Sequence, residues 1–392
     1  MKFRNLKNHR YLLAVAVAAF ILYALFFHNR LYGEINGSFI SYGLVMKEAY
    51  SNGEMPHWTP LLSGGYPLLS NPEIPIFGIL NLVIFLLPGV VLAFGIAILL
   101  HIAIAGVGAA LLCFEFTQSR HAAVVSGVVF IISGAFAFAL FSGTMPFLYP
   151  LAFLPWILLF SYRALKKPAA NIVLAALFLA LQLLSGGTIY FFWTLLGMGL
   201  LLATYAFFSL LKGKIDAAVK PGIILFLIAV FSLGFAAVKL VPGIAFIELT
   251  SRASGVDYQS FIWPFTQIQL AQLPSALLFK SSFVKVGIVA FSLALIGFAA
   301  SFRKKFGVAF LAISLIAILI EVDTFVTRIF FSLPGFGQTR QIYNVFALLS
   351  LSIAVMAGVG WAKIMQLKAF GRLRRFSVWA TALIILLVAA EL

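Results

Sequence analysis

The chain has 392 residues, of which 63% are hydrophobic and only 10% are charged. Its mean hydropathy is +1.10. Soluble domains carry about 25% charged residues, so this composition excludes a soluble globular protein and predicts an all-α polytopic membrane protein. The net charge of +16 is typical of the basic cytoplasmic loops of such proteins, and we expect no nucleic-acid partner.

A membrane span needs roughly 20 apolar residues. The first apolar run, which ends at Phe27, follows a basic segment and is not followed by a small-residue cleavage site, so it predicts an uncleaved anchor. The short apolar segment 76–88 predicts a re-entrant or interfacial element. The chain as a whole predicts a single transmembrane domain, 1–392, with about eleven transmembrane helices near 11–27, 90–113, 122–141, 147–162, 171–185, 189–211, 221–241, 286–301, 306–320, 341–361 and 376–390.

The distribution of lysine and arginine among the loops predicts the orientation of the chain in the membrane. A cytoplasmic N-terminus places nineteen of the 27 basic residues in cytoplasmic loops and nine of the 11 acidic residues outside, as the positive-inside rule requires. We therefore expect a multi-pass protein with a cytoplasmic N-terminus in the plasma membrane of a prokaryote. The long external loops are 28–75, 242–285 and 321–340, and we expect them to meet over the outer face. No P-loop motif is present, which argues against ATP-driven transport by this chain alone.

The first external loop, 28–75, is the predicted active-site loop. Glu34 follows the first span between two glycines, where a partly desolvated carboxylate is suited to accept a proton from a hydroxyl; an ordinary solvated acid is the alternative. Further along the loop, Trp58 and Tyr66 can stack on a sugar or anchor the loop among lipid headgroups. His57 could act as an acid or a base. No other potential metal ligand stands at the sequence spacing typical of a metal site, so we assign no metal site.

Basic residues of other loops are candidates for binding an anion. Arg340, with Gln341 after it, begins a span and faces outward, where it can hold a phosphate or contact headgroups. The turn 185–188 predicts either an anion-binding nest or a plain tight turn. His101 lies in the second span, and we expect it to be neutral and hydrogen-bonded to a neighbouring helix. Further basic candidates are Arg252, Lys280, Lys285 and Arg328.

The order of motifs in the first loop resembles a known family. Gly33-Glu34, the run from Gly53-Glu54 to Thr59-Pro60, Gly64-Gly65-Tyr66-Pro67 and Asn71-Pro72-Glu73 resemble the first external loop of YfhO-like membrane proteins, a branch of the GT-C glycosyltransferase superfamily. Segments 182–188, 333–340 and 357–360 extend the resemblance over most of the chain. Relatives commonly continue past the span at which this chain stops, which implies a short member or a fragment.

The resemblance implies a GT-C-like bundle that transfers sugar from a polyprenyl-phosphate donor on the external face of the cell envelope. The superfamily's early acidic residue, a base or metal ligand, corresponds by position to Glu34, although the family usually has Asp there. We expect Glu34 to remove the acceptor proton and Arg340 to hold the leaving phosphate. Glu54 is the second candidate catalytic carboxylate, and a divalent cation bound to Glu34 or Glu54 is an open alternative; the cofactor is otherwise unknown.

Two other classes of function remain open. A transporter or lipid flippase needs polar groups and broken helices near the middle of the membrane, where the sequence shows His101. A non-catalytic membrane scaffold predicts that individual loop carboxylates can be replaced without effect.

Overall fold

The computed structural model describes residues 10–27, 33–62, 64–262, 285–333, 335–338, 342–367 and 377–390. Within these ranges all regular secondary structure is helical, apart from one isolated β-bridge between Thr59 and Tyr66. A π-helix (Ile35–Phe39) and two 3₁₀ helices (Phe336–Gln338 and Ile342–Val345) accompany the α-helices. The α-helices are α1 Arg10–Phe27, α2 Ile40–Ser51, α3 Ile79–Leu86, α4 Val90–Thr117, α5 Arg120–Ile131, α6 Gly134–Ser142, α7 Met145–Leu151, α8 Leu154–Ala164, α9 Pro168–Leu184, α10 Thr188–Leu210, α11 Ile215–Ile247, α12 Tyr258–Ile262, α13 Ile288–Ser301, α14 Lys305–Glu321, α15 Phe325–Phe331, α16 Phe346–Gln366 and α17 Ser377–Ala390.

The described helices confirm an all-α polytopic bundle. Six helical stretches are long and apolar enough to cross a membrane, with α5–α6 and α7–α8 each forming one of them. A seventh consists of α14 and α15, which meet at a bend of 86°. Four shorter apolar helices, α1, α9, α13 and α17, make the bundle compatible with the eleven predicted spans. Helix α3 has eight residues and is about 12 Å long, so it is too short to cross, as predicted for an interfacial segment.

The degree of burial identifies the centre of the bundle. In the stretch Met145–Ala164, 83% of the apolar segment is buried inside the protein, against 28% for Ile215–Ile247. Since lipid is as apolar as the protein interior, an exposed apolar helix such as α11 is stable where it faces acyl chains. Helices α7 and α8 therefore lie in the core together with α16, and α11 lies at the periphery with one buried stripe.

Consecutive spans run in opposite directions, so the connections collect at two ends. The loop face carries the described parts of segments 33–78, 248–257 and 322–338, and the second and third of these meet there. The Arg252 Nη1 donates to the carbonyl of Gln338 at 3.1 Å, and the Val256 amide donates to the carbonyl of Gly337 at 2.7 Å. The opposite, basic face carries short connections, where Glu115 pairs with Arg163 at 2.9 Å.

A close backbone contact fixes the start of the first loop. Gly33 has φ +58, and a Cβ built on it would lie 1.9 Å from the carbonyl oxygen of Ser142. Only glycine combines this left-handed backbone with so close an approach. The contact places Glu34 at the end of α6 on the loop face.

We expect Gly33→Ala to destabilise the protein by on the order of 3 kcal/mol, because alanine adds both left-handed strain and a backbone clash. The measurement is thermal unfolding in detergent. Gly37→Ala is the matched control, since no heavy atom lies within 4 Å of its Cβ position. Equal unfolding temperatures for the two variants would contradict this account of the contact.

Candidate functional site

The described part of the first long loop includes a small hairpin on the loop face. The Thr59 amide donates to the Tyr66 carbonyl at 2.9 Å, and the Tyr66 amide donates back at 2.8 Å. At Gly65, where φ is +133, a Cβ would lie 2.5 Å from the Trp58 ring, so this ring covers the glycine. Trp58 remains 57% exposed and His57 is exposed, whereas Tyr66 is half-buried.

Tyr66 belongs to a layer of polar groups beneath the hairpin. Its ring stacks on Tyr42 with 5.9 Å between centroids, and the Asn71 Nδ2 donates to its hydroxyl. Burial, then the neighbouring Tyr66 and the negative charge of Glu73, raise the pKa of Tyr42 to about 12. Tyr42 is therefore a neutral phenol at physiological pH, and the negative charge of Glu73 contributes to this raised pKa.

Glu73 is the carboxylate most strongly affected by its surroundings in this loop. Its side chain is exposed to solvent, although nearby protein atoms displace part of its hydration shell. Desolvation raises the pKa of Glu73; Arg252 opposes the increase, Glu34 adds to it and Lys239 opposes it. Glu34, Glu73, Lys239 and Arg252 therefore interact electrostatically at the loop face, and we call them the charged cluster.

Lys239 is the buried member of the charged cluster. It projects from α11, is 4% exposed, and donates from its Nζ to the carbonyl of Ile74. A buried ammonium is costly unless hydrogen bonds or opposite charges compensate it. In the described part of the chain, one of its three N–H groups has a protein acceptor, and Glu73 supplies a nearby negative charge. The remaining donors are suited to an anionic ligand.

The turn between α9 and α10 packs closely against the backbone of Glu73. Gly186 has φ +91, and its Cβ position lies 2.6 Å from the Glu73 carbonyl oxygen. The anion-nest interpretation of this turn is wrong, because the amides of residues 185, 186 and 187 donate to the carbonyls of Leu181, Leu183 and Gln182. The turn is a tight turn that packs beside the charged cluster.

The predicted site residues separate into groups. Glu34 joins the charged cluster and Tyr66 lies beside it, while Glu54 lines a different recess, with Tyr50 and Asn81. Glu34 is exposed to solvent, and its partial desolvation stays a prediction. Desolvation raises the pKa of Glu73, which ends the loop next to α11 and the 185–187 turn. Arg340, Gln341 and Lys280 lie outside the described residues.

Two ionisable residues within apolar helices were missed from the sequence. Lys239 interrupts an otherwise apolar part of α11, which is the signal that would have identified it. Glu321, at the end of α14, is fully buried, and neither of its carboxyl oxygens has a hydrogen-bond partner in the part of the chain that the structure describes.

His101 is bonded differently from the prediction. Its Nδ1 lies 2.6 Å from the Ala97 carbonyl of its own helix, not of a neighbouring one. The ring stacks on Tyr149 at 4.1 Å. His101 is therefore a packed core residue.

The described residues do not provide the donor set of a resident metal ion. No three His, Cys, Asp or Glu residues among them are grouped closely enough to hold one. In the charged cluster the carboxylates are already opposed by Lys239 and Arg252. The charged cluster is therefore not suited to a divalent cation.

Comparison with known proteins identifies the family. Residues 75–392 match the family described as a 6-pyruvoyl-tetrahydropterin synthase related domain, a membrane protein. The chain belongs to this family. No curated protein matches it in sequence. The narrower resemblance to YfhO-like proteins stays a prediction.

A solved structure shares the fold. The chain is similar to the crystal structure of ArnT from Cupriavidus metallidurans bound to undecaprenyl phosphate, with a TM-score of 0.57 and 13% sequence identity. The match covers 96% of this chain and 63% of that one, so this chain spans less than two thirds of that structure's length. The comparison confirms the predicted GT-C-like bundle. At 13% identity it shows a shared fold and does not show a shared activity.

Proposed function

We propose that this protein is a membrane glycosyltransferase that transfers a sugar from a polyprenyl-phosphate donor to an acceptor hydroxyl at the loop face. The observation that carries the proposal is the charged cluster, which joins two carboxylates to two cations at the base of the first loop. This combination suits a reaction that needs both a base and an anion-binding site. The GT-C-like fold supports the proposal, since a structure with that fold was solved with undecaprenyl phosphate bound.

Glu73 is the better base of the two carboxylates. A general base works best when its pKa approaches the operating pH, and desolvation raises the pKa of Glu73 toward that range. In the transfer, the acceptor oxygen forms a bond to the anomeric carbon while the bond from that carbon to the phosphate oxygen breaks. The hydroxyl proton passes to the Glu73 carboxylate, and the electron pair leaves with the lipid phosphate.

The two cations of the charged cluster would hold that phosphate. Lys239 presents unused N–H donors from a buried position, where an ion pair is stronger than in bulk water. The Arg252 Nη1 already bonds the Gln338 carbonyl, so its position is fixed while its charge acts on the cluster. Lys239 and Arg252 thereby take the role expected of Arg340.

Glu34 is the base implied by the family resemblance, and the pH dependence of kcat/KM distinguishes it from Glu73. If Glu73 is the base, activity falls as the pH decreases through its raised pKa, because the protonated acid cannot accept a proton. Glu34→Gln removes a negative charge that raises this pKa, so the acidic limb should move to lower pH with activity retained. Complete loss of transfer in Glu34→Gln would assign the base to Glu34.

A transporter or lipid flippase is the second candidate, favoured by the buried Glu321 and Lys239 within apolar helices. Proteoliposomes loaded with a radiolabelled polyprenyl-phosphate sugar and a membrane acceptor extract distinguish the two classes. We expect label in a new covalent product. Label that crosses the bilayer on unchanged donor, with no product, would favour the flippase.

A further inference from the structure

A second recess lies on the loop face, outside the charged cluster. It has a volume of about 410 Å³ and lies between the end of α2, the turn at 53–55 and helix α3. Ligand sites typically occupy roughly 300–1,000 Å³ and combine apolar walls with a few polar groups. This recess has both features, and we call it the α2–α3 cavity.

The apolar side of the cavity carries solvent-exposed side chains. Its walls include Met55, Phe77, Leu82 and Phe85. Leu82 is 59% exposed and Phe85 is 56% exposed. Exposed apolar side chains on a short helix next to membrane spans belong at the membrane interface. An apolar tail can therefore reach the cavity from the bilayer without crossing water.

The polar side of the cavity is fixed and favours hydroxyl groups. The Tyr50 hydroxyl donates to the Asn81 Oδ1, and the Asn81 Nδ2 donates to the Ile76 carbonyl. Burial raises the pKa of Tyr50, which remains a neutral phenol. Glu54 adds a negative charge, and none of the described residues that line the cavity is basic. Lys47 lies beside the cavity wall, where its Nζ donates to the carbonyls of Ile84 and Phe85 at 3.2 and 3.3 Å. The lining itself suits hydrogen-bond donors, because the one charged residue among its described members is an acid.

The cavity is adjacent to the charged cluster. Its wall begins at Ile76, three residues after Glu73, and three residues span at most about 11 Å. Ile74, between them, accepts the hydrogen bond from Lys239. Residues 73–78 thus separate the charged cluster from the α2–α3 cavity.

We propose that the α2–α3 cavity is the acceptor subsite of the transferase. It binds an uncharged amphiphile whose hydroxyl-bearing head donates to Glu54 and whose apolar tail lies along α3. This assignment rests on the proposed glycosyltransferase function. The phosphate of the donor occupies the charged cluster, and the acceptor hydroxyl approaches it from the cavity.

Photolabelling tests the assignment without any sugar transfer. The full chain in nanodiscs is irradiated with an alkyl glucoside that carries a diazirine in its tail, and labelled peptides are mapped by mass spectrometry. We expect label within residues 76–85, and competition by the same glucoside without the diazirine. Glu54→Gln should weaken this labelling about tenfold, because it removes a charged acceptor, and Leu82→Trp should block it by filling the apolar side.

Glu48→Gln is the matched control, since Glu48 is an exposed acid of α2 that does not line the cavity. An alkyl phosphate with the same tail should label residues 76–85 poorly. Equal labelling by the phosphate, or no effect of Glu54→Gln, would overturn the acceptor subsite. Labelling that fails while the wild type transfers sugar overturns the subsite alone, whereas intact labelling without any transfer counts against the proposed function.

Discussion

Replacing Glu73 with glutamine is expected to lower the rate of sugar transfer by about 10²–10⁴-fold, the usual contribution of a general base. Glutamine keeps the shape of the side chain but cannot accept the hydroxyl proton. The loss should appear in kcat, measured with saturating donor and acceptor on purified protein. The residual rate should no longer depend on pH along the acidic limb, because the titrating group is gone.

Glu48→Gln is the control for this experiment, because it removes an exposed carboxylate of α2 that is not part of the charged cluster. Its rate should equal that of the wild type. Thermal unfolding must be similar for all three proteins, since Glu73→Gln leaves Lys239 without its nearby negative charge. A folded Glu73→Gln protein with wild-type kcat would remove Glu73 from the mechanism.

Replacing Lys239 with methionine is expected to lower kcat/KM for the donor by about 10–100-fold. A hydrogen bond to a charged group contributes about 1.5–3 kcal/mol, and each 1.4 kcal/mol changes an equilibrium constant tenfold. The KM for the donor should increase, because the anion loses a buried cation. Folding should be preserved, since an apolar side chain of similar size suits a buried position in an apolar helix.

Lys220→Met is the matched control on the same helix. Lys220 lies near the basic face, where its Nζ donates to the Leu165 carbonyl at 2.9 Å. This variant should bind and use the donor as the wild type does. An unchanged KM in a folded Lys239→Met protein would contradict the assignment of Lys239 to the phosphate.

The fold was largely predictable from the sequence, because each span must satisfy its backbone hydrogen bonds within an apolar helix. The predicted spans near 90–113, 189–211 and 341–361 correspond to α4, α10 and α16. Helix ends were less predictable. The predicted span 221–241 belongs to a helix of 33 residues, Ile215–Ile247, which extends past Pro221 and Pro242.

The candidate site was only partly predictable. Glu34, Tyr66 and Arg252 were identified as candidates because polar residues in long loops of an apolar protein are conspicuous. Lys239 was missed because one lysine hardly changes the average hydropathy of a long apolar run. Its contact with the Ile74 carbonyl joins residues 165 positions apart, and only the folded chain brings them together. The same tertiary packing places Glu73 next to α11, where desolvation raises its pKa.

Transfer from a defined donor tests the central claim most directly. Purified protein in lipid is given a panel of radiolabelled polyprenyl-phosphate sugars together with a membrane acceptor extract, and the acceptor fraction is analysed for covalently bound label. We expect label from at least one donor, with release of the polyprenyl phosphate. The absence of transfer from every donor, by protein with a cooperative thermal unfolding transition, would contradict the glycosyltransferase function.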